Sequence, residues 1–304
     1  LAKRIEALSV GRRAAEIIPA IKNLTIIGIT SQGVFLLAGD DVFFISFGSN
    51  RGPLTITLGR VIEEFQGLPI GSEVIFQSDE LFFPNIKTGI LWNANKIWNP
   101  PPAAIFVAPS EQRQMTLRKL AAGVLQNKEG EQGFTPFLGI LINGRGAEQL
   151  SSELQSIWHH IPVIQKSLAK KDVSEIVSSL LPLMGLGRGL TPSGDDLIAG
   201  ILLTLNRYPA QIFPDLSRKE LNFALIQNAR QKTTRLSTNI IEQAATGVAD
   251  ERLLKALDNI IIGSNAIDAS IQEICHLGHS SGADTLVGIT IAPVSYTHLT
   301  LPTI

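Results

Sequence analysis

One stretch constrains this chain more than any other. Gly185-Leu-Gly-Arg-Gly-Leu-Thr-Pro-Ser-Gly-Asp-Asp196 runs straight into an apolar segment, Leu197 to Leu205. Alternate glycines and a Thr-Pro-Ser turn do not sustain a helix or a strand, whereas the segment after them reads as a buried helix. A shorter copy returns 88 positions later as Leu277-Gly-His-Ser-Ser-Gly-Ala-Asp-Thr-Leu-Val-Gly288. Both copies contain Ser-Gly-x-Asp-x-(Ile/Leu)-x-Gly. Two polar loops feeding two apolar helices predict the halves of one ligand site.

The rest of the chain changes period once. Residues 1–20 carry apolar and charged positions at helical spacing, with Pro19 near the end, and read as a helix. Leu24–Ile29, Gly33–Ala38, Asp41–Phe47, Leu54–Leu58, Ser72–Phe76, Leu81–Phe83 and Ala104–Val107 read as short strands separated by turn residues. Gly28-Ile-Thr-Ser-Gln-Gly33 is best taken as a hairpin turn. Pro100-Pro101-Pro102 begins the exit from this region. From Ser110 the pattern is helical: 110–126, 146–169, 172–183, 193–207, 216–230, 233–247, 250–261, 266–277 and 281–292, with Phe134–Leu141 an added strand or extended connection. The fold class is therefore α+β: a mainly antiparallel β domain, sheet or small barrel, over residues 1–109, then an all-α domain over 110–294. The segment 295–304 does not continue the helical pattern; it reads as a non-native tail, His298 with it, and the start at Leu1 suggests a missing true start.

Composition removes several classes of function. A net charge of −1 without a basic stripe argues against a nucleic-acid partner. One cysteine excludes an internal disulfide framework and a thiolate zinc site, and points to the reducing cytoplasm. No apolar run approaches the roughly 18–20 residues that span a bilayer.

The chemistry lies in the two loops. A helix start offers unpaired N–H groups and the positive end of the macrodipole, and a glycine loop lets a ligand approach them. Gly187, Arg188, Gly189, Thr191 and Gly194 form one candidate binding wall, and Ser281, Gly282 and Asp284 the other. Ser193, Asp195 and Asp196 are the candidate catalytic residues. Thr233-Thr-Arg-Leu-Ser-Thr-Asn239 offers further hydroxyls, Ser237 among them, and a second cation in Arg235. A plainer reading competes: Ser193-x-x-Asp196 and Ser281-x-x-Asp284 have capping-box spacing. It would place Gly194 and Gly282 at the first helical position, where glycine costs about 0.5–1 kcal/mol against alanine, and it leaves Asp195 without a task. Gly200 and Gly288 are expected to be points where the two helices pack closely. Carboxylates beside an anion repel it unless a cation such as Mg²⁺ bridges them, or unless they accept from an amide or ammonium group instead.

Weaker motifs carry less. Cys275-His276 with His279 could ligate a metal if positions 275 and 279 share a helix face, but no further ligand is near. His159-His160 beside Trp158 reads as surface or packing, and Asn143-Gly-Arg-Gly146 as a turn.

The run at 185–196 resembles the signature of the AllH family, with the Ser237 region and Gly282-Ala-Asp284 following in the same order and spacing. The resemblance implies a subunit of an oxamate carbamoyltransferase of anaerobic purine (allantoin) breakdown. That system interconverts oxalurate plus phosphate with oxamate plus carbamoyl phosphate, and its other subunits include an FdrA-like chain. In such chemistry the loop amides and Arg188 would hold phosphate or carboxylate, and Thr191 and Ser193 would donate to a carbonyl. Asp195 or Asp196 would orient an amide nitrogen or hold Mg²⁺. A non-catalytic anion-binding or assembly subunit, and a Mg²⁺-dependent hydrolase or phosphoryl-transfer enzyme using the Asp pair, stand as alternatives.

Overall fold

The computed structural model describes residues 3–127 and 133–297, the last five of these by backbone alone. The chain separates into two compact units, Leu1–Pro101 and Pro102–Ile304.

The first unit is a curled half-barrel sheet of ten strands. They are β1 (Lys3–Glu6), β2 (Ser9–Gly11), β3 (Asn23–Thr30), β4 (Gly33–Ala38), β5 (Asp41–Ser46), β6 (Thr55–Thr57), β7 (Glu73–Gln77), β8 (Glu80–Phe83), β9 (Thr88–Leu91) and β10 (Ile97–Trp98). Their order across the sheet is β1-β9-β8-β7-β3-β4-β5-β6-β2-β10. The pairings are antiparallel except β1 with β9, β5 with β6, and β2 with β10. The α1 helix (Arg12–Ile21) buries Ala14 and Ile18 in a core that includes Leu24, Ile26, Leu36, Ile45, Phe65 and Phe83.

The helix expected over residues 1–20 forms only in its second half. From Arg4 to Ser9 exposed and buried positions alternate, with Ile5, Ala7 and Ser9 buried, so the period there is two, and two strands take the segment into the sheet. The turn at Ser31-Gln32 closes the β3–β4 hairpin, as the sequence predicts. Ala104–Val107 is not a strand. Ile105 and Phe106 stand exposed, and Ala104 and Ala108 are instead tied to the second unit by bonds to Tyr208 Oη (3.2 Å) and the Ile261 carbonyl (2.9 Å).

The second unit is helical: α2 (Ser110–Asn127), α3 (Thr135–Asn143), α4 (Ser152–Trp158), α5 (His160–Lys170), α6 (Val173–Leu180), α7 (Ser193–Arg207), α8 (Arg218–Lys232), α9 (Arg235–Ala244), α10 (Glu251–Ile262), α11 (Asp268–Cys275) and α12 (Ser281–Thr297). Residues 134–141, expected as extended, form α3 instead. Phe134 stacks on Phe137 at 5.1 Å, and Phe137 meets Trp158 edge-on at 5.2 Å, so this apolar segment is a buried helix start. The helix expected over 146–169 divides at His159 into α4 and α5. The last helix runs on through Thr297, past the expected end at 292; from His298 the expected tail lies outside the described residues. No helix among the described residues is long and apolar enough to cross a membrane.

At the centre lie α7 and α12, the most extensively packed pair of elements. Every residue from Ser193 to Leu205 is buried, the mark of a helix enclosed on all sides. The two helices run parallel and touch through their glycines. A Cβ on Gly200 would lie 2.1 Å from the Thr285 carbonyl oxygen, and one on Gly288 would lie 2.0 Å from that of Leu197. Each glycine admits the backbone of the other helix. At the far end of α7, Arg207 forms a two-pronged ion pair with Asp258 of α10 (2.6 and 2.7 Å), and Tyr208 Oη donates to the same carboxylate at 2.6 Å.

This contact makes a direct prediction. Gly200→Ala gains helix propensity, yet places a methyl group inside van der Waals distance of rigid backbone. The net loss of stability should be at least about 2 kcal/mol, read by urea denaturation. An unchanged midpoint would show that the helices separate at little cost.

Candidate functional site

The parallel packing brings the starts of α7 and α12 together. Thr191 Oγ1, in the loop before α7, and Ser281 Oγ, the first residue of α12, share a hydrogen bond of 2.8 Å. Beneath it lie three carboxyls, on Asp195, Asp196 and Asp284, each nearly inaccessible to solvent.

Two further helix starts reach the same place. Thr233, just before α9, donates its hydroxyl to Asp195 Oδ2 in a short bond. Its neighbour Thr234 caps α9 by accepting from Ser237 N–H, and donates to the Leu190 carbonyl of the glycine loop at 2.8 Å. Phe134, at the start of α3, donates its N–H to Asp284 Oδ1 at 2.6 Å. A Cβ on Gly133 would lie 2.5 Å from both Asp284 oxygens and 2.8 Å from Ser193 Oγ, so only glycine lets the chain pass there. Four helix starts thus converge on three acids, and positive dipole ends face negative groups.

The neighbours set the proton affinity of each acid. Burial raises the Asp195 pKa; the Thr233 hydroxyl, the Gly185 N–H (2.8 Å to Oδ1) and the facing Ser237 hydroxyl pull it part of the way back. Both Asp195 oxygens are thereby engaged. Asp196 is pushed well above the ordinary aspartate range, first by burial and then by the charge of Asp284. The Ser281 and Thr191 hydroxyls offset this in part, and Asp195 adds to it. Asp196 Oδ2 has no hydrogen-bond partner among the described residues. Neither Asp195 nor Asp196 forms an ion pair among the described residues.

The glycine loops differ from the simple anion cradle that the sequence suggested. Gly194 does meet a close neighbour, but it is the chain itself: a Cβ there would lie 1.9 Å from the Leu183 carbonyl oxygen. On Gly282 it would lie 2.2 Å from that of Ile274. The Gly194 N–H donates to Leu186 O and the Gly282 N–H to Leu277 O, both at 2.9 Å. The Asp195 and Asp196 N–H groups both turn to Pro192 O. Most of the helix-start amides are therefore satisfied internally. The capping box of α7 does not form either. Pro192 is the N-cap, Ser193 is already the first helical residue, and Gly194 the second.

Arg188 lies in the exposed part of the loop with Gly187 and Gly189 and makes no ion pair among the described residues. Arg235, also exposed, is two residues from Thr233 and directly follows Thr234, which binds the loop. Ser237 is buried, and its hydroxyl has no formed hydrogen bond. Cys275 and His279 do not share a helix face, because α11 ends at Cys275; His276 Nδ1 lies 2.7 Å from the Gln272 carbonyl oxygen. No cluster of three or more His, Cys, Asp or Glu among the described residues is disposed to hold a metal ion.

The sequence reading missed residues 133–135. The signal was present: Gly133-Phe-Thr-Pro136 repeats Gly189-Leu-Thr-Pro192. The twin loops also differ at one position that matters. Where α7 has Asp195, α12 has the buried Ala283.

The fold and site define a two-unit α+β protein whose helical unit is built around a pseudo-symmetric pair of acid-bearing helices. Residues 183–293 match the family model AllH, the oxamate carbamoyltransferase subunit AllH, which bears out the resemblance over that stretch. No solved structure matches the chain.

Two measurements test the electrostatics. Asp196 has a higher pKa folded than unfolded, so its stabilising contribution is complete below the unfolded value and is lost as pH rises through the folded one. Asp196→Asn, which cannot ionise, should become progressively more stable than the parent as pH is raised, with denaturation midpoints converging in acid. Thr233→Val should leave Asp195 short of a donor and cost about 1–3 kcal/mol by the same method.

Proposed function

We propose that this chain is a subunit of an oxamate carbamoyltransferase, and that the acids where α7 and α12 begin act on the amide nitrogen of the substrate. The observation that carries this reading is Asp196: a buried carboxyl, driven towards its protonated form, with one oxygen unengaged.

In that reaction a phosphate oxygen bonds to the carbamoyl carbon of oxalurate, and the bond from that carbon to the oxamate nitrogen breaks. The leaving nitrogen gains the proton that the phosphate hydroxyl gives up. A carboxyl whose proton affinity is raised by burial and a neighbouring charge suits such a relay in either direction. Asp195, with both oxygens engaged by Gly185 and Thr233, acts as a positioning residue that ties the glycine loop to α9. Arg188 and Arg235 supply exposed guanidinium groups for the phosphate or carboxylate end. Thr191 and Ser193 stand beside Asp196 as donors to a carbonyl oxygen. The complete enzyme includes an FdrA-like partner and works in the cytoplasm on a purine-derived substrate.

A second reading has one observation in its favour. The helix-start amides at Gly194 and Gly282 are bonded to the chain's own carbonyls, which suits a subunit that shapes the complex rather than reacts.

The two readings separate on one variant. With the partner subunits present, Asp196→Asn should lower phosphate-dependent oxalurate cleavage by roughly a hundredfold or more while the complex still assembles by gel filtration. Full activity in the assembled variant complex would remove Asp196 from the chemistry and leave the assembly role.

A further inference from the structure

Among the buried side-chain oxygens that form no hydrogen bond within the described residues, three belong to the starts of three different helices at this one junction: Thr135 Oγ1 (α3), Asp196 Oδ2 (α7) and Ser237 Oγ (α9), the last facing Asp195. Thr135 is 3% exposed, Asp196 3% and Ser237 1%, so bulk water does not satisfy them. An unsatisfied buried hydroxyl costs about 1–3 kcal/mol, and native proteins keep few of them. Their clustering calls for a shared partner.

Thr135 is the informative member. It lies outside the stretch that matches AllH, which begins at residue 183. Its peptide neighbour Phe134 donates to Asp284, and Gly133 passes directly against Asp284 and Ser193, so Thr135 starts its helix at the edge of the acid cluster. It is also the counterpart of Thr191 in the repeated Gly-x-Thr-Pro motif. Thr191 uses its hydroxyl to bind Ser281; Thr135 binds no side chain or carbonyl among the described residues. One hydroxyl of the pair joins the two central helices, and the other has no partner among the described residues.

We infer that Thr135 is a ligand-contacting residue of this site, its hydroxyl donating to an oxygen of a small carboxylate-bearing amide whose nitrogen faces Asp196. The inference rests on the reading of the site given above, takes its ligand class from it, and adds a binding residue. An amide presents acceptor and donor groups side by side, which a hydroxyl and a carboxyl from adjacent helix starts complement. A dicarboxylate offers Asp196 no N–H and adds a negative charge.

The test is Thr135→Val, which keeps the shape and removes the hydroxyl, in the full chain with its partner subunits. Oxamate is titrated calorimetrically, with oxalate as the control that lacks an amide. In the parent complex oxamate should bind at least roughly tenfold tighter than oxalate, and Thr135→Val should weaken oxamate by roughly ten- to a hundredfold. The thermal midpoint without ligand should stay level or rise, because an unsatisfied hydroxyl has been replaced by a methyl group. A fall in that midpoint would show that the hydroxyl supports the fold. Unchanged oxamate affinity, equal binding of oxalate, or no binding of either by the parent complex would each overturn the inference. Loss of the proposed function is recognised separately: the parent complex then binds oxamate through Thr135 but fails to cleave oxalurate with phosphate.

Discussion

The backbone contact between α7 and α12 at Gly200 and Gly288 is the constraint on which the helical unit depends. Packed interiors tolerate no overlap, so two helix axes draw this close only where neither carries a side chain. The contact is reciprocal and lies seven residues into each helix, which sets the height of one helix against the other. Register at the glycines then fixes register at the start: Thr191 finds Ser281, and Asp196 is placed near Asp284. A shift of one residue along either helix would turn those side chains about 100° away.

Holding acids in such a place is expensive, and the surroundings show how the cost is met. Asp195 is surrounded by donors. Asp284 accepts a main-chain N–H from a helix that begins at that point. Asp196 is deeply buried and faces the charge of Asp284, so its neutral form is favoured. Asp195 and Asp196, adjacent in the chain, are thus both raised in proton affinity by burial, and the hydroxyls and amides around each offset that rise in part.

Much of this was legible in the sequence, and what was not has physical reasons. The α7 boundaries follow directly from the loop and the apolar run, and the close-packing role of Gly200 and Gly288 follows from glycines set inside apolar helices. The strands Gly33–Ala38 and Leu81–Phe83 stood out because β-branched and aromatic residues lay between clear turns. Residues 3–11 were misread because their alternation is short and interrupted by charged residues that point outward. Residues 134–141 were misread because a helix buried on most sides loses its period, leaving an apolar run that also fits a strand. Gly194 and Gly282 correctly signalled a close approach; the approaching group is the chain's own carbonyl, which spacing alone does not distinguish from a ligand. The convergence of α3 and α9 on the acids depends on tertiary packing, and only the repeated Gly-x-Thr-Pro motif hinted at half of it.

The exchange of Asp195 for Ala283 has one more consequence. A cradle with perfect two-fold likeness would offer a small, nearly flat molecule two interchangeable poses, and a reaction that distinguishes one end from the other would proceed from only half of them. With Asp195 tied to Gly185 and Thr233 on one side and Ala283 on the other, the two helix starts are not interchangeable. The two helix starts share a motif and a packing geometry, yet they carry different charge at this one matched position.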